Sequence, residues 1–224
     1  MSLDNKLIRK IRRMYGIDIL PIGMESYTLG DIVEWNGIIK KPSMENYSFV
    51  NYLRLDSDKQ TEYKNRLKTV QPVAAQLAKI QLDTSFDFQS GADIPNFATE
   101  TGLDVSHENI TGINVEDIQC KVIERDLKYD LMQELIQIKK NDRRYYRKEL
   151  KKLFMLDKLF YAGKVNLTIQ TNSKAKIEAA VLKSKLVNPK IAEKSEKEVS
   201  ISFSGDKTIP FAADIEQIND FLNL

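Results

Sequence analysis

His107 is the one histidine of this 224-residue chain, and no cysteine or carboxylate pair stands near it at metal-ligand spacing. Its neighbours make it a solvated loop side chain. Cys120 is the one cysteine, set in an alternating run where a small buried apolar residue is the ordinary role. No second histidine is there to serve as its base. Gly23 with Gly30, and Gly91 with Gly102, match neither a phosphate-cradling loop nor a dinucleotide fingerprint. Asp56 and Asp58 flank Ser57 in a way that a helix cap explains better than a magnesium site. Residues 81–130 hold eleven acids against Lys121, Arg125 and Lys128, a net charge of −8, but spacing alone assigns none of them acid and base roles. No catalytic residue, cofactor or metal site is assigned, and the expectation is a protein that is not an enzyme.

What remains is patterning. Lys79 to Phe88 alternates without a slip: Ile80, Leu82, Thr84, Phe86 and Phe88 face one way, and Lys79, Gln81, Asp83, Ser85 and Asp87 the other. A strand has a side-chain period of two, so this segment reads as a ribbon with one apolar and one wet face. Val165, Leu167 and Ile169 repeat the pattern, as do Val199, Ile201 and Phe203. Two readings stay open. An antiparallel sheet lying on a core has this pattern. So does a set of strands with lipid on one side and water on the other, for which about 10 tilted residues suffice to cross a bilayer.

Composition narrows the class. A content of 42% hydrophobic and 29% charged residues belongs to a globular chain, and no apolar run approaches the roughly 18 residues of a transmembrane helix. Met1 to Tyr15 lacks the apolar core of a signal peptide, so the expected residence is the cytoplasm, in keeping with a single cysteine. The net charge of +2 conceals two basic segments. Residues 1–15 carry Lys6, Arg9, Lys10, Arg12 and Arg13 against Asp4, and such a helix could lie on an anionic leaflet or keep its charges in solvent. Residues 139–152 carry eight cations against Asp142 and Glu149, a net +6, which suits nucleic acid, lipid headgroups or a solvated helix face.

The elements that must position these residues follow from local signals. A helix over 4–15 places Leu3, Leu7, Ile8, Ile11 and Met14 in one stripe and ends at Gly16. Ile17 to Ile22 reads as a short strand, and Asn36-Gly37 predicts a two-residue hairpin turn between 31–35 and 38–41. Ser57 opens a capping box and a helix to about Lys68. Leu77 to Gln89 reads as a strand, 90–112 as a loop, and 113–123 as a strand with a bulge near Ile118. A helix over 126–140 aligns Leu127, Leu131, Leu135 and Ile138, with a second short helix over 141–152. Strands over 153–161 and 164–171 precede a helix over 173–186, and 190–198 reads as a charged loop. A hairpin of 199–204 with 207–215 and a last helical turn end the chain. The expected class is α+β: a twisted, mostly antiparallel sheet flanked by helices, with a basic N-terminal amphipathic helix.

Four segments together carry a family resemblance: Tyr15-Gly16-Ile17-Asp18-Ile19-Leu20-Pro21-Ile22 after the basic helix, Leu29-Gly30-Asp31-Ile32-Val33 before a hairpin, Lys158-Leu159-Phe160-Tyr161-Ala162 before an alternating strand, and Gly205-Asp206-Lys207-Thr208-Ile209-Pro210-Phe211-Ala212 near the end. In this order they resemble the bacterial gasdermins, pore-forming proteins held silent by a short C-terminal peptide. Family members carry an acylated cysteine close to the N-terminus; this chain has Ser2 and no cysteine before Cys120. The resemblance implies a bacterial-defence effector of cell death, cytoplasmic at rest and in the inner membrane once active. It implies a pore-forming part over 1–189 within a single domain, and a charged loop with an inhibitory segment over 190–224. Lys6, Arg9, Lys10, Arg12 and Arg13 would touch anionic lipid. Ile80, Leu82, Phe86, Phe88, Val165, Leu167 and Ile169 would face acyl chains, and Ile209, Phe211, Ile215, Ile218, Phe221 and Leu222 would form the seal. The implied partners are anionic lipid, an activating protease cutting within Lys190–Glu198 or Gly205–Lys207, and further copies of the chain in an active homo-oligomer; nucleic acid is not among them. The competing expectation is a soluble structural or protein-interaction module that uses its sheet edges within an assembly.

Overall fold

The structure, a computed structural model, describes residues 11–20, 27–35, 39–40, 47–76, 79–83, 110–183, 187–204 and 210–223. Helices and two antiparallel sheets make it α+β, as the sequence predicts. In chain order the strands are β1 (Asp18–Ile19), β2 (Ile32–Trp35), β3 (Ile39–Lys40), β4 (Val73–Ala74), β5 (Lys79–Asp83), β6 (Ile110–Glu116), β7 (Gln119–Val122), β8 (Phe154–Tyr161), β9 (Lys164–Gln170), β10 (Val187–Ser195), β11 (Glu198–Ser204) and β12 (Pro210–Gln217). The main helices are α1 (Ser57–Thr69), α2 (Arg125–Asn141) and α3 (Lys174–Lys183).

The first sheet runs β1-β12-β8-β2-β3. Strand β8 takes β12 along one edge; on the other it takes β2 at Met155 and Phe154 and β7 from Lys158 to Tyr161, with β4 beyond β7. Because β8 is enclosed on both faces it is apolar almost throughout, and no alternation marks it. The second sheet is β10-β11-β9-β6-β5. Its inner strands β9 and β11 alternate cleanly, because one face is packed and the other wet.

The chain passes from one sheet to the other at two corners that touch. One lies between β6 and β7, where Asp117 takes φ 53°. The other lies between β8 and β9 at Gly163, where a Cβ would sit 2.5 Å from the Asp117 carbonyl oxygen. The slip near Ile118 is therefore this corner, not a bulge within one strand.

Local chemistry sets the helices. Asp56, one residue ahead of the expected Ser57, caps α1 by accepting from the Lys59 amide at 2.8 Å. Leu127, Leu131 and Leu135 form the buried stripe of α2, and Asp142 caps the short helix that follows by accepting from the Tyr145 amide at 2.9 Å. Residues 11–15 are helical and end at Gly16 in the left-handed conformation, φ 69°, as the pattern predicts. Ile11 is buried, but Met14 is 54% exposed and lies off the stripe it was expected to join.

Three further expectations are corrected. Trp35 pairs with Ile39, so the β2–β3 hairpin closes around three residues, not the two of a type I′ turn. The stretch from 190 to 198 is not a loop: Lys190–Ser195 belong to β10 and Glu198 opens β11. Strand β10 lies at the sheet edge with 188–195 exposed on both faces, which erases any apolar period; the division drawn at residue 190 falls inside it. Strand β12 does not pair with β11 but inserts between β1 and β8 in the other sheet, and it runs to Gln217, two residues past the expected strand end at Ile215.

Candidate membrane-active sheet and its C-terminal seal

Register assembles the second sheet's two faces. Ile80, Val115, Val165 and Phe203 lie side by side across four strands, and Ile113, Leu167 and Ile201 form the adjoining row. Ile80, Val165, Leu167 and Ile169 are thus brought onto one apolar face, each no more than 2% exposed. Leu82 occupies the strand position opposite Ile113, while Phe86 and Phe88 lie outside the described residues. The cover over this face comes from Ile177 and Val181 of α3, Ile11 of the first helix, Ile17 and Ile19 around β1, and Phe211 and Ala212 of β12.

The opposite face is polar in the same register. Gln81, Asn114, Asn166, Ser202 and Lys190 form one row across all five strands. A groove of about 360 Å³ runs over it, with Thr168 and Lys194 also in its lining. Asn114 donates to Glu116 at 2.7 Å, and Lys164 stands 3.2 Å from the same carboxylate, so Glu116 ionises below the usual glutamate range. The Oδ1 atoms of Asn114 and Asn166 are buried without a hydrogen-bond partner.

The C-terminal segment divides between two cores. Phe211 packs under the alternating sheet, whereas Ile218 and Phe221, both 0% exposed, sit in the second core with α1, α2 and β8. Ile215 is half-buried against that second core. Leu222 lies in the last turn, Asp220–Asn223, and Ile209 lies outside the described residues. Two ionic contacts, invisible in the sequence reading, fasten this segment. Lys128 of α2 reaches Glu216 of β12 at 2.7 Å and Asp157 of β8 at 3.0 Å, with its ammonium 5.5 Å from the Phe221 ring centroid. Lys158 reaches Asp214 at 3.0 Å. Asp214 and Glu216 alternate in the sequence, which hinted at a wet strand face but named no partner.

Of the five candidate lipid contacts, Lys6, Arg9 and Lys10 lie outside the described residues. Arg13 is exposed. Arg12 lies 4.0 Å over the Trp35 ring and 3.8 Å from Asp18. Asp18 is 4% exposed, and burial raises its carboxyl above the ordinary value despite Arg12 and the Trp35 indole. Cys120 is a buried strand residue whose thiol burial pushes up. His107 lies outside the described residues. Among the described residues no helix is long and apolar enough to cross a membrane.

No family model matches this chain, and no curated protein does. It is similar in fold to the solved structure of a bacterial gasdermin from Bradyrhizobium tropiciagri, with TM-score 0.42 and 11% identity over 92% of this chain and 83% of that one. A likeness at that level does not place the chain in a family, and the functional reading rests on its own residues.

Proposed function

We propose that this chain is a non-enzymatic pore-forming effector whose alternating sheet exchanges its internal cover for acyl chains. One observation carries the reading: across β5, β6, β9 and β11 the sheet has an apolar face and, in register behind it, a polar row from Gln81 to Ser202 that Lys190 of edge strand β10 continues. In hydrocarbon the apolar face would meet lipid and the polar row water. Every backbone group would have to be paired, so copies would join into a closed homo-oligomeric barrel through the outer strands β5 and β10. Strands of seven residues are short for that span, so β6 and β9 would lengthen as hairpins on insertion.

In this reading the cytoplasmic resting chain is held shut by the segment from Pro210 onward, which supplies Phe211 to the sheet's cover and Ile218 and Phe221 to the second core. A partner protease cutting between Ser204 and Pro210 would release it, and the basic first helix would bring the remainder to an anionic inner membrane. The test is a protease site placed in that linker, with dye-filled vesicles containing phosphatidylglycerol. Leakage should follow cutting and be absent from the uncut chain; a cut chain that leaves the vesicles sealed sinks the proposal.

A soluble interaction module draws on a different observation. Strand β12 is an inner strand, bonded to both β1 and β8, which is costly to remove. A mass measurement separates the two: large rings only after cutting favour the pore, and a stable complex of the uncut chain favours the module.

A further inference from the structure

Residues 139–152 form the last turn of α2, the helical turn Arg143–Tyr145 and the π-helical Tyr146–Leu150. The fold decides where their charges point. Tyr146 and Leu150 are buried, with the Tyr146 hydroxyl 3.3 Å from Oδ1 of Asn219. The Tyr145 hydroxyl donates to the Tyr52 carbonyl, and its ring lies 3.7 Å from the Arg54 guanidinium. Asp142 is engaged, accepting from the Tyr145 amide at 2.9 Å and from Arg54 at 3.0 Å. Glu149 lies on the side of Tyr52 and Tyr145, whose phenols burial and, in smaller part, its charge push up.

Arg143, Arg144, Arg147, Lys148 and Lys151 are left together on one exposed helical face. Among the described residues, none of the five forms an ion pair. We propose that this face is a docking surface for an anionic bilayer, used by the uncut chain and separate from the first helix. Single-stranded nucleic acid binds through aromatic platforms, and both tyrosines here are turned inward. Duplex DNA can use the same arginines, on phosphates and on guanine edges, so duplex binding is the rival outcome that the titration below decides. A plane of lipid phosphates asks for nothing more than such a row of charges. The inference goes beyond the pore reading, since it needs neither cutting nor insertion.

The test is sedimentation of the full, uncut chain with phosphatidylglycerol-containing vesicles, with neutral phosphatidylcholine vesicles, and a binding titration against duplex DNA. The chain should sediment with the anionic vesicles alone and be released by salt. Each cation contributes roughly five-fold to partitioning, so Arg143→Gln, Arg144→Gln, Arg147→Gln and Lys148→Gln combined should lower it by roughly 600-fold. The matching arginine-to-lysine variant should keep it, which excludes a folding defect, and Arg12→Gln with Arg13→Gln should change it little. No sedimentation at low salt, an unchanged quadruple variant, or tighter binding to duplex DNA than to vesicles overturns the proposal. Leakage is not measured, so failure of the pore reading stays distinct.

Discussion

Lys128 and Glu216 join across 2.7 Å, tying the first turn of the long helix α2 to the C-terminal strand β12, with Asp157 of β8 as the third member. The three side chains are 23%, 19% and 11% exposed, so the cluster is neither a surface pair nor a dry one. Removing the cation would leave two acids facing each other beneath the C-terminal turn.

Lys128→Ala should therefore destabilise the chain by roughly 2 kcal/mol in urea unfolding, below the about 3–5 kcal/mol of a fully buried broken pair, because solvent still screens this one. A double-mutant cycle with Glu216→Gln should show coupling of about 1 kcal/mol. The Lys128 ammonium is held above its ordinary pKa by Glu216 and Asp157, against the burial that lowers it. A raised folded pKa gives stability that is full below the unfolded value and lost as pH rises through the folded one. The gap between wild type and Lys128→Ala should accordingly persist at neutral pH and close only in strong alkali.

Asp18 has the opposite consequence at neutral pH. Burial raises its carboxyl, so the ionised form opposes folding above the unfolded pKa, and that cost disappears as pH falls below it. Asp18→Asn should match or exceed the wild type in thermal stability at pH near 7, and the difference should vanish in acid. A wild type clearly more stable than the variant at neutral pH would mean that the Arg12 and Trp35 contacts outweigh burial.

Two glycines should respond differently to alanine. At Gly163 the new methyl would lie 2.5 Å from a backbone carbonyl oxygen that cannot swing aside, so Gly163→Ala should cost about 2–4 kcal/mol. At Gly16 nothing lies within 4 Å of the added carbon, and only the left-handed backbone resists, so Gly16→Ala should cost about 1 kcal/mol. Denaturant midpoints of the two variants check the order.

Cys120 should be inert in the native chain. It is 7% exposed and its thiol is pushed up by burial, an effect the Lys158 charge only partly offsets. Alkylation at mildly alkaline pH should be at least roughly 100-fold slower than in denaturant. Rapid native labelling would mean that β7, which carries it between β4 and β8, opens readily.

The sequence alone determined the face of each alternating strand. Val165, Leu167 and Ile169 had to share a face because a period of two leaves no other choice, and the stripe Leu127, Leu131, Leu135 was legible for the equivalent helical reason. The left-handed end at Gly16 was equally local. Neighbourhood was not. A side-chain period names a face but not the strand lying next to it, so nothing in 199–217 revealed that β11 and β12, nearly adjacent in the chain, belong to different sheets. Exposed β10 had no apolar period to betray it, and doubly enclosed β8 no polar one. The Lys128 cluster joins residues 29 and 88 positions apart, and the Asp117–Gly163 corner is a contact between two backbones. Such pairings exist only once the chain has closed on itself, because charge and close approach act through space while sequence patterns record only what each residue's own element requires.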